Sequence, residues 1–233
     1  PWFPHGPPPS SGCALASAMS LVVLLGHPVA HSLSALMQNA AFAAAGLDEW
    51  TYVARDVAPE ELADAVREVE FANVTAPYKR DVAQLLGSEL DSVNTIVCGR
   101  GYSTDAAVLA LVTSCHKPVL VGDGGAAAAF RAALPEARVF SRRGVWPPDV
   151  SGADLVVHAT SVRDEVLFEL GEGQTLVDLP YPRTATAEAA AATGARVLDG
   201  LEVLVAQGAA SFELWTGVAA PVAAMRAAVG LEP

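Results

Sequence analysis

The passage VLVGDGGAAAAF (119–130) sets Gly122, Gly124 and the small residue Ala127 in the order G-x-G-x-x-A, directly after an apolar run. Each type has a physical use there. The first glycine allows a tight turn, the second lets the backbone approach a pyrophosphate, and the small third residue lets a helix pack closely on its strand. The helix N-terminus would then offer free N–H groups and a partial positive charge to phosphate oxygens. About twenty residues on, at the end of the next apolar run, an acidic residue would bind a ribose 2′-hydroxyl. The sequence there reads Ser141-Arg142-Arg143. Two adjacent arginines suit a 2′-phosphate, so the spacing points to NADP rather than NAD. Close packing without a ligand, and a solvated arginine loop, are the plainer readings of the same residues.

A second group lies nearer the N-terminus. GHPVAHSLS (26–34) follows an apolar run and carries Ser32 and Ser34, two hydroxyls that can donate to a carboxylate without adding charge. His27 and His31 have the i, i+4 spacing of a metal pair, but Pro28 breaks any helix between them. In FANVTAPYKRD (71–81) an apolar strand is stopped by Pro77, and Lys79 follows in what reads as the first turn of a helix. The helix dipole disfavours a cation there. Asp105 reads locally as an N-cap of AAVLALV.

These residues need a scaffold of strands alternating with helices. Strands are expected over 21–25, 50–54, 72–75 and 92–97, then before the glycine turn and over 137–140, 154–159, 175–179 and 195–199. Ser32 or Ser34 is expected to cap a helix ending at Gly46, and Pro59 to open another with Glu60 and Glu61 in its first turn. Two helical segments close the chain. This alternation predicts an α/β fold with parallel sheets and right-handed crossovers, divided into two domains near Asp105. The expected boundaries are a disordered, proline-rich extension over 1–19, a first domain over 20–104, and a second over 105–204. Residues 205–233 are expected to return to the first.

Composition narrows the partners. With 26 acidic against 14 basic residues, the net charge of −12 argues against nucleic acid or an anionic membrane surface, but not against a small anion met by local donors. Cys13, Cys98 and Cys115 are unspaced, so free thiols in a reducing compartment are expected. No C-x2-C or H-x3-5-H frame completes a set of four ligands, so no metal is expected. No apolar run is long enough for a transmembrane helix. A cytoplasmic protein is the reading, with nothing to select between monomer and homodimer.

Several segments together resemble the shikimate dehydrogenases. GHPVAHSLSALMQN is similar to that family's substrate signature, and NVTAPYK to its catalytic-lysine motif. SVNT and STD resemble its Asn and Asn-Thr-Asp elements, GDGGA its NADP loop, and SRR its phosphate clamp. GLEVLVAQGAASFELWTG (200–217) is similar to its C-terminal signature. The similarity spans about residues 21–228.

The resemblance implies a substrate-binding domain and a Rossmann-like NADP domain, together reducing 3-dehydroshikimate to shikimate or running the reverse reaction. It implies Lys79 and Asp105 as the catalytic pair. Ser32, Ser34, Thr75, Asn94, Tyr181 and Gln207 would bind substrate. Gly122, Gly124, Gly125, Ala126, Ser141, Arg142, Arg143 and Gly200 would bind cofactor. The chain departs from the family pattern at Ser103 and His158, where asparagines are usual, and at Tyr181-Pro182, where a residue usually intervenes. The glycine-loop helix also lacks an arginine often found there, and the stretch from Lys79 to Asn94 is short. Two other readings stay open: a dehydrogenase for quinate or aminoshikimate, and a non-catalytic protein that keeps the ligand cleft.

Overall fold

The computed structural model describes residues 19–232. Most of the expected extension over 1–19, and Cys13 with it, lies outside the described residues. In chain order the elements are β1 (Ser20–Gly26), α1 (Ser34–Ala44), β2 (Trp50–Asp56), α2 (Leu62–Glu68), β3 (Phe71–Val74), α3 (Lys79–Leu85), β4 (Thr95–Val97) and β5 (Arg100–Tyr102). There follow β6 (Pro118–Val121), α4 (Gly125–Ala133), β7 (Arg138–Phe140), β8 (Leu155–His158), β9 (Thr175–Asp178), α5 (Ala185–Ala192), β10 (Arg196–Leu198), α6 (Gly200–Thr216) and α7 (Val222–Ala228). Short 3₁₀ turns cover Pro59–Glu61 and Asp105–Leu111. The chain forms two compact units: one runs to Thr104 and resumes at Val205, the other is Asp105–Leu204.

The first unit is built on a five-stranded sheet in the order β2-β1-β3-β4-β5. β1 pairs in parallel with β2 and β3, whereas β4 and β5 continue the sheet as an antiparallel pair. β3 is buried along its whole length, so it alternates between two packed faces. Ala72 and Val74 join Val23, Leu25, Leu62, Val66 and Val82 in one core. Phe71 faces the other way, where Trp50, Phe42 and Phe212 form a chain of ring contacts at 5.1–5.5 Å. That second face is covered by α1 and α6. Gly208 permits the closeness, since a Cβ there would strike the Met37 side chain, and Trp215 Nε1 donates to the Ile96 carbonyl at 3.1 Å.

The second unit is a five-stranded sheet in the order β10-β9-β8-β6-β7, parallel in every pair. β6, β8 and β9 are buried throughout, as central parallel strands should be. Phe140, Val156, Phe168, Leu176 and Ala187 belong to its core.

Three local expectations are corrected. No side chain caps α1; Ser32 Oγ instead accepts the Ser34 N–H at 3.3 Å, satisfying that donor one turn early. β5 was not expected, because Arg-Gly-Tyr carries no apolar alternation and exists only by pairing with β4 across a tight turn. Cys98 is disulfide-bonded, not a free thiol, and lies exposed in that turn with φ 48°. Cys115 is free.

Candidate active site

In the first unit the strand ends deliver the expected residues. β3 stops at Val74, and Thr75 N donates to the Leu25 carbonyl at 2.9 Å, holding Thr75 beside the end of β1. Gly26 is required there, because a Cβ would collide with the Thr75 methyl. His27 N then donates to Ala76 O at 3.1 Å, so the loop leaving β1 and the loop leaving β3 are tied together. Ser32 and Ser34 stand on the first of these loops, their hydroxyls 3.2 Å apart. Lys79 opens α3 after the second and is half-buried; its carbonyl accepts the Val93 N–H at 2.9 Å. His27 Nδ1 lies 2.5 Å from Asp56 Oδ1, and that bond, with the Val29 N–H, holds the Asp56 carboxyl below its ordinary range.

Asn94 and Gln207, 113 residues apart in sequence, meet at 3.4 Å between Asn94 Nδ2 and Gln207 Oε1. Asn94 is 1% exposed, and both ends of its amide are engaged. Oδ1 accepts the Thr104 N–H at 2.7 Å and the Thr95 hydroxyl at 3.1 Å. Nδ2 donates to Thr104 Oγ1 at 2.8 Å. A backbone N–H can only donate, so the Thr104 contact fixes which end of the amide is oxygen.

The sequence assigned no role to the residues around this pair, although Ser211 falls on one helical face with Gln207. Asn73, inside β3, donates to Asn94 O at 3.0 Å, to Ser211 Oγ at 3.1 Å and to Thr95 Oγ1 at 3.2 Å. Its own oxygen accepts the Tyr52 hydroxyl at 2.9 Å. Ser211 Oγ lies 2.8 Å from Thr95 Oγ1 and 3.0 Å from Thr104 Oγ1, and donates to Gln207 O at 3.0 Å. A signal existed: Asn73 is an amide within an apolar strand, and Ser211 shares a helical face with Gln207 at i, i+4.

The second unit carries the remaining expected residues. Gly122 ends β6 with φ 134°, and a Cβ would collide with the Ala159 carbonyl. Gly124 has open space where a Cβ would be, so the backbone entering α4 is accessible to a ligand. Gly125 and Ala126 form the first turn of that helix, the arrangement a pyrophosphate needs. Beyond β7, Gly144 N donates to Ser141 O at 3.0 Å, making a turn that exposes both arginines. Arg142 lies 3.5 Å from Glu165 and 5.4 Å above the Trp146 ring, and Arg143 lies 3.9 Å from Asp123 in the glycine turn. This donor set fits a nucleotide bearing a 2′-phosphate.

Gly200 starts α6 hard against the Pro180 carbonyl, which leaves no room for a Cβ. Tyr181 is half-buried just past β9. Asp105 is buried at the head of the 3₁₀ turn, as its first residue. His158 does not replace an asparagine idly. Its Nδ1 meets Asp178 Oδ1 at 2.6 Å with both side chains fully buried, and its Nε2 lies 2.6 Å from Thr160 Oγ1. Asp178 Oδ2 also accepts the Thr184 N–H and hydroxyl, and Thr184 caps α5.

An α/β unit with an ordered amide and hydroxyl cluster, and a second whose glycine turn opens onto a helix N-terminus, define a two-unit α/β architecture of the kind that can hold a dinucleotide. Comparisons with known proteins narrow it. Residues 24–96 match the shikimate dehydrogenase substrate binding domain, and residues 200–229 the shikimate 5′-dehydrogenase C-terminal domain. A shikimate dehydrogenase (NADP(+)) of Moorella thermoacetica is 36% identical, the match covering 90% of this chain and 92% of that one. The crystal structure of shikimate dehydrogenase from Aquifex aeolicus superposes with a TM-score of 0.81 at 29% identity, covering 93% of this chain and 99% of that one. A shikimate 5-dehydrogenase from Thermus thermophilus, solved with NADP(H) and shikimate, gives 0.75 at 31% identity over 90% and 98% of the two chains. The chain belongs to the shikimate dehydrogenase family.

Proposed function

We propose that this protein interconverts 3-dehydroshikimate and shikimate with NADP. The observation that carries the reading is the meeting of Asn94 with Gln207 in the unit that also holds Lys79. These two amides are the groups the family resemblance assigns to the substrate, and they arrive from β4's approach and from α6. A ring bearing hydroxyls and a carboxylate needs directional donors, and Ser32, Ser34, Thr75, Asn94 and Gln207 supply them without charge. Tyr181 is assigned to the same ligand. The unit ending at Thr104 and resuming at Val205 is the proposed substrate-binding domain, and Asp105–Leu204 the proposed NADP domain.

Bound NADP(H) supplies the hydride that the C3 carbon of the ring exchanges. The protein's own task is the proton. When a ketone becomes an alcohol its oxygen must gain a proton in step, and Lys79 is the donor; in the oxidative direction it is the acceptor. Such positioned acid–base groups contribute about 10²–10⁴-fold. Asp105 completes the catalytic pair. Arg142 and Arg143, with Ser141, hold the 2′-phosphate, while Gly122, Gly124, Gly125 and Ala126 admit the pyrophosphate, with Gly200 beside the cofactor.

The net charge of −12 supports a small molecule rather than a polyanion as partner. Among the described residues no helix is long and apolar enough to cross a membrane. A cytoplasmic location as monomer or homodimer belongs to the same proposal, since turnover needs the intracellular NADP pool. The test is absorbance at 340 nm with shikimate and quinate, each offered NADP and NAD. Turnover of shikimate with NADP is expected to exceed the other three combinations. Faster turnover of quinate would transfer the assignment to that substrate, and tight shikimate binding without turnover would make the protein a binder.

A further inference from the structure

The interior of the first unit holds a cluster of buried, uncharged polar side chains. Ser211 is fully buried where α6 meets the sheet. Its hydroxyl touches Asn73, Thr95 and Thr104 at 2.8–3.1 Å and the Gln207 carbonyl at 3.0 Å. Three of these four partners carry, or directly contact, one of the two substrate amides, and the fourth reaches the Asn94 backbone. Thr95 and Thr104 both bond the Asn94 side chain, Asn73 bonds the Asn94 carbonyl, and Gln207 bears the second amide.

One assignment of protons pairs every donor of the cluster when the Thr95 proton is shared between Asn94 Oδ1 and Ser211 Oγ. Tyr52 donates to Asn73 Oδ1, and Asn73 Nδ2 donates to the Asn94 carbonyl. Asn94 Nδ2 donates to Thr104 Oγ1, which leaves the Thr104 proton for Ser211 Oγ. The Ser211 proton then goes to Gln207 O. Removing the Ser211 oxygen strands the Thr104 proton and an Asn73 N–H in a buried setting. The acceptor nearest to hand for both is Thr95 Oγ1, whose own proton holds Asn94 Oδ1, so the rearrangement passes to the Asn94 amide. Unsatisfied buried donors are costly, so such rearrangement is favoured over leaving them unpaired.

Stability alone does not account for the cluster, because replacing both partners of a buried polar pair by apolar groups of the same shape is often neutral. We propose that Ser211 is a positioning residue: its hydroxyl links α6 to β3 and β4 and sets the orientation of the Asn94 and Gln207 amides toward the substrate ring. This rests on the assignment of those amides to shikimate in the proposed function.

The experiment compares the wild type, Ser211→Ala, Gln207→Ala and the double variant by steady-state kinetics and melting temperature, with ¹⁵N–¹H spectra of the side-chain amides alongside. Ser211→Ala is expected to raise the KM for shikimate about tenfold, with the KM for NADP unchanged. In the Gln207→Ala background the same substitution should change shikimate KM by a smaller factor, about threefold, because only the Asn94 amide is left to be positioned. The Gln207 side-chain cross-peaks, assigned by their loss in Gln207→Ala, should shift and broaden in Ser211→Ala. Equal fold-changes in both backgrounds, or a parallel rise in NADP KM, would make Ser211 a packing residue and overturn the proposal. Should Ser211→Ala not fold, Thr95→Val removes the neighbouring hydroxyl at nearly constant volume and is read against the same criteria. A wild type that does not turn over shikimate would sink the functional reading, while the amide spectra would still decide whether Ser211 orders Gln207.

Discussion

In the unit built on β1–β5, five uncharged polar side chains, Asn73, Asn94, Thr95, Thr104 and Ser211, close on one another at no more than 5% exposure. In the unit built on β6–β10, the expected ligand groups Arg142 and Arg143 lie at the surface against Glu165 and Asp123. The contrast follows from the ligands proposed for each. A ring with several hydroxyls is distinguished from its relatives by the direction of hydrogen bonds, and a dry, fully paired network holds those directions. A phosphate presents the same charge from every side, so long arginines at the rim can meet it and exchange one anion for another. The rigid requirement in the second unit falls on the backbone instead, at Gly122 and Gly200, where a side chain would block the chain itself.

The largest test of this contrast removes the chemistry from one unit only. Lys79→Met is expected to lower kcat by about 10²–10⁴-fold while leaving the dissociation constant for NADP, read by fluorescence titration, where it was. A variant that turned over at the wild-type rate would remove Lys79 from the mechanism. Gly122→Val strikes the opposite unit. Its Cβ would collide with Ala159 O at a φ of 134°. A cost of about 1–3 kcal/mol and loss of NADP binding are expected. Calorimetric titration of shikimate without cofactor should be unaffected; if both ligands are lost together, the two units do not divide the work in this way.

A smaller effect is expected from Arg142→Ala combined with Arg143→Ala. Affinity for NADP should fall about tenfold, ~1.4 kcal/mol, with NAD little changed. An equal loss for both nucleotides would mean the arginines do not read the 2′-phosphate.

The smallest effect concerns acid. Burial alone would push the Asp154 carboxyl up, but the His116 and Lys117 N–H groups and the Ser114 hydroxyl, at 2.7–2.8 Å, outweigh it and hold it at about 2. A carboxyl lowered in the folded state stabilises the fold above its unfolded value of 3.8, and that contribution disappears as pH falls to about 2. Thermal melts between pH 5 and pH 2 should therefore show a steeper loss for the wild type than for Asp154→Asn. The difference should be on the order of 1 kcal/mol, allowing for partial exposure to water. The neutral network of the first unit offers no such dependence, so Ser211→Ala should leave the acid limb unchanged.

Much of the scaffold was legible in the residues. The apolar runs at 21–25, 154–159 and 175–179 became β1, β8 and β9 because strands buried on both faces need no alternation, only β-branched bulk between turn signals. Lys79 after Pro77 was legible as an unusual cation in a first helical turn, and Gly122 as the turn glycine between a buried strand and a helix, where the structure gives it φ 134°. β5 was not legible. Arg100–Tyr102 has no pattern of its own, and its strand conformation comes from pairing with Thr95–Val97. The hydroxyls of Thr95 and Thr104 were equally silent, since threonine is mostly a surface residue and nothing local marks the buried ones.

The sequence by itself therefore determined which elements form, where glycine is indispensable, and which side chains can donate, accept or carry a proton. Those properties are local, set by one residue and its near neighbours. Only the tertiary structure decided that Asn94 meets Gln207, that Ser211 stands behind both, and that His158 is engaged by Asp178. A hydrogen bond needs about 3 Å and a direction. Partners 113 residues apart acquire both only when the sheet and α6 have packed.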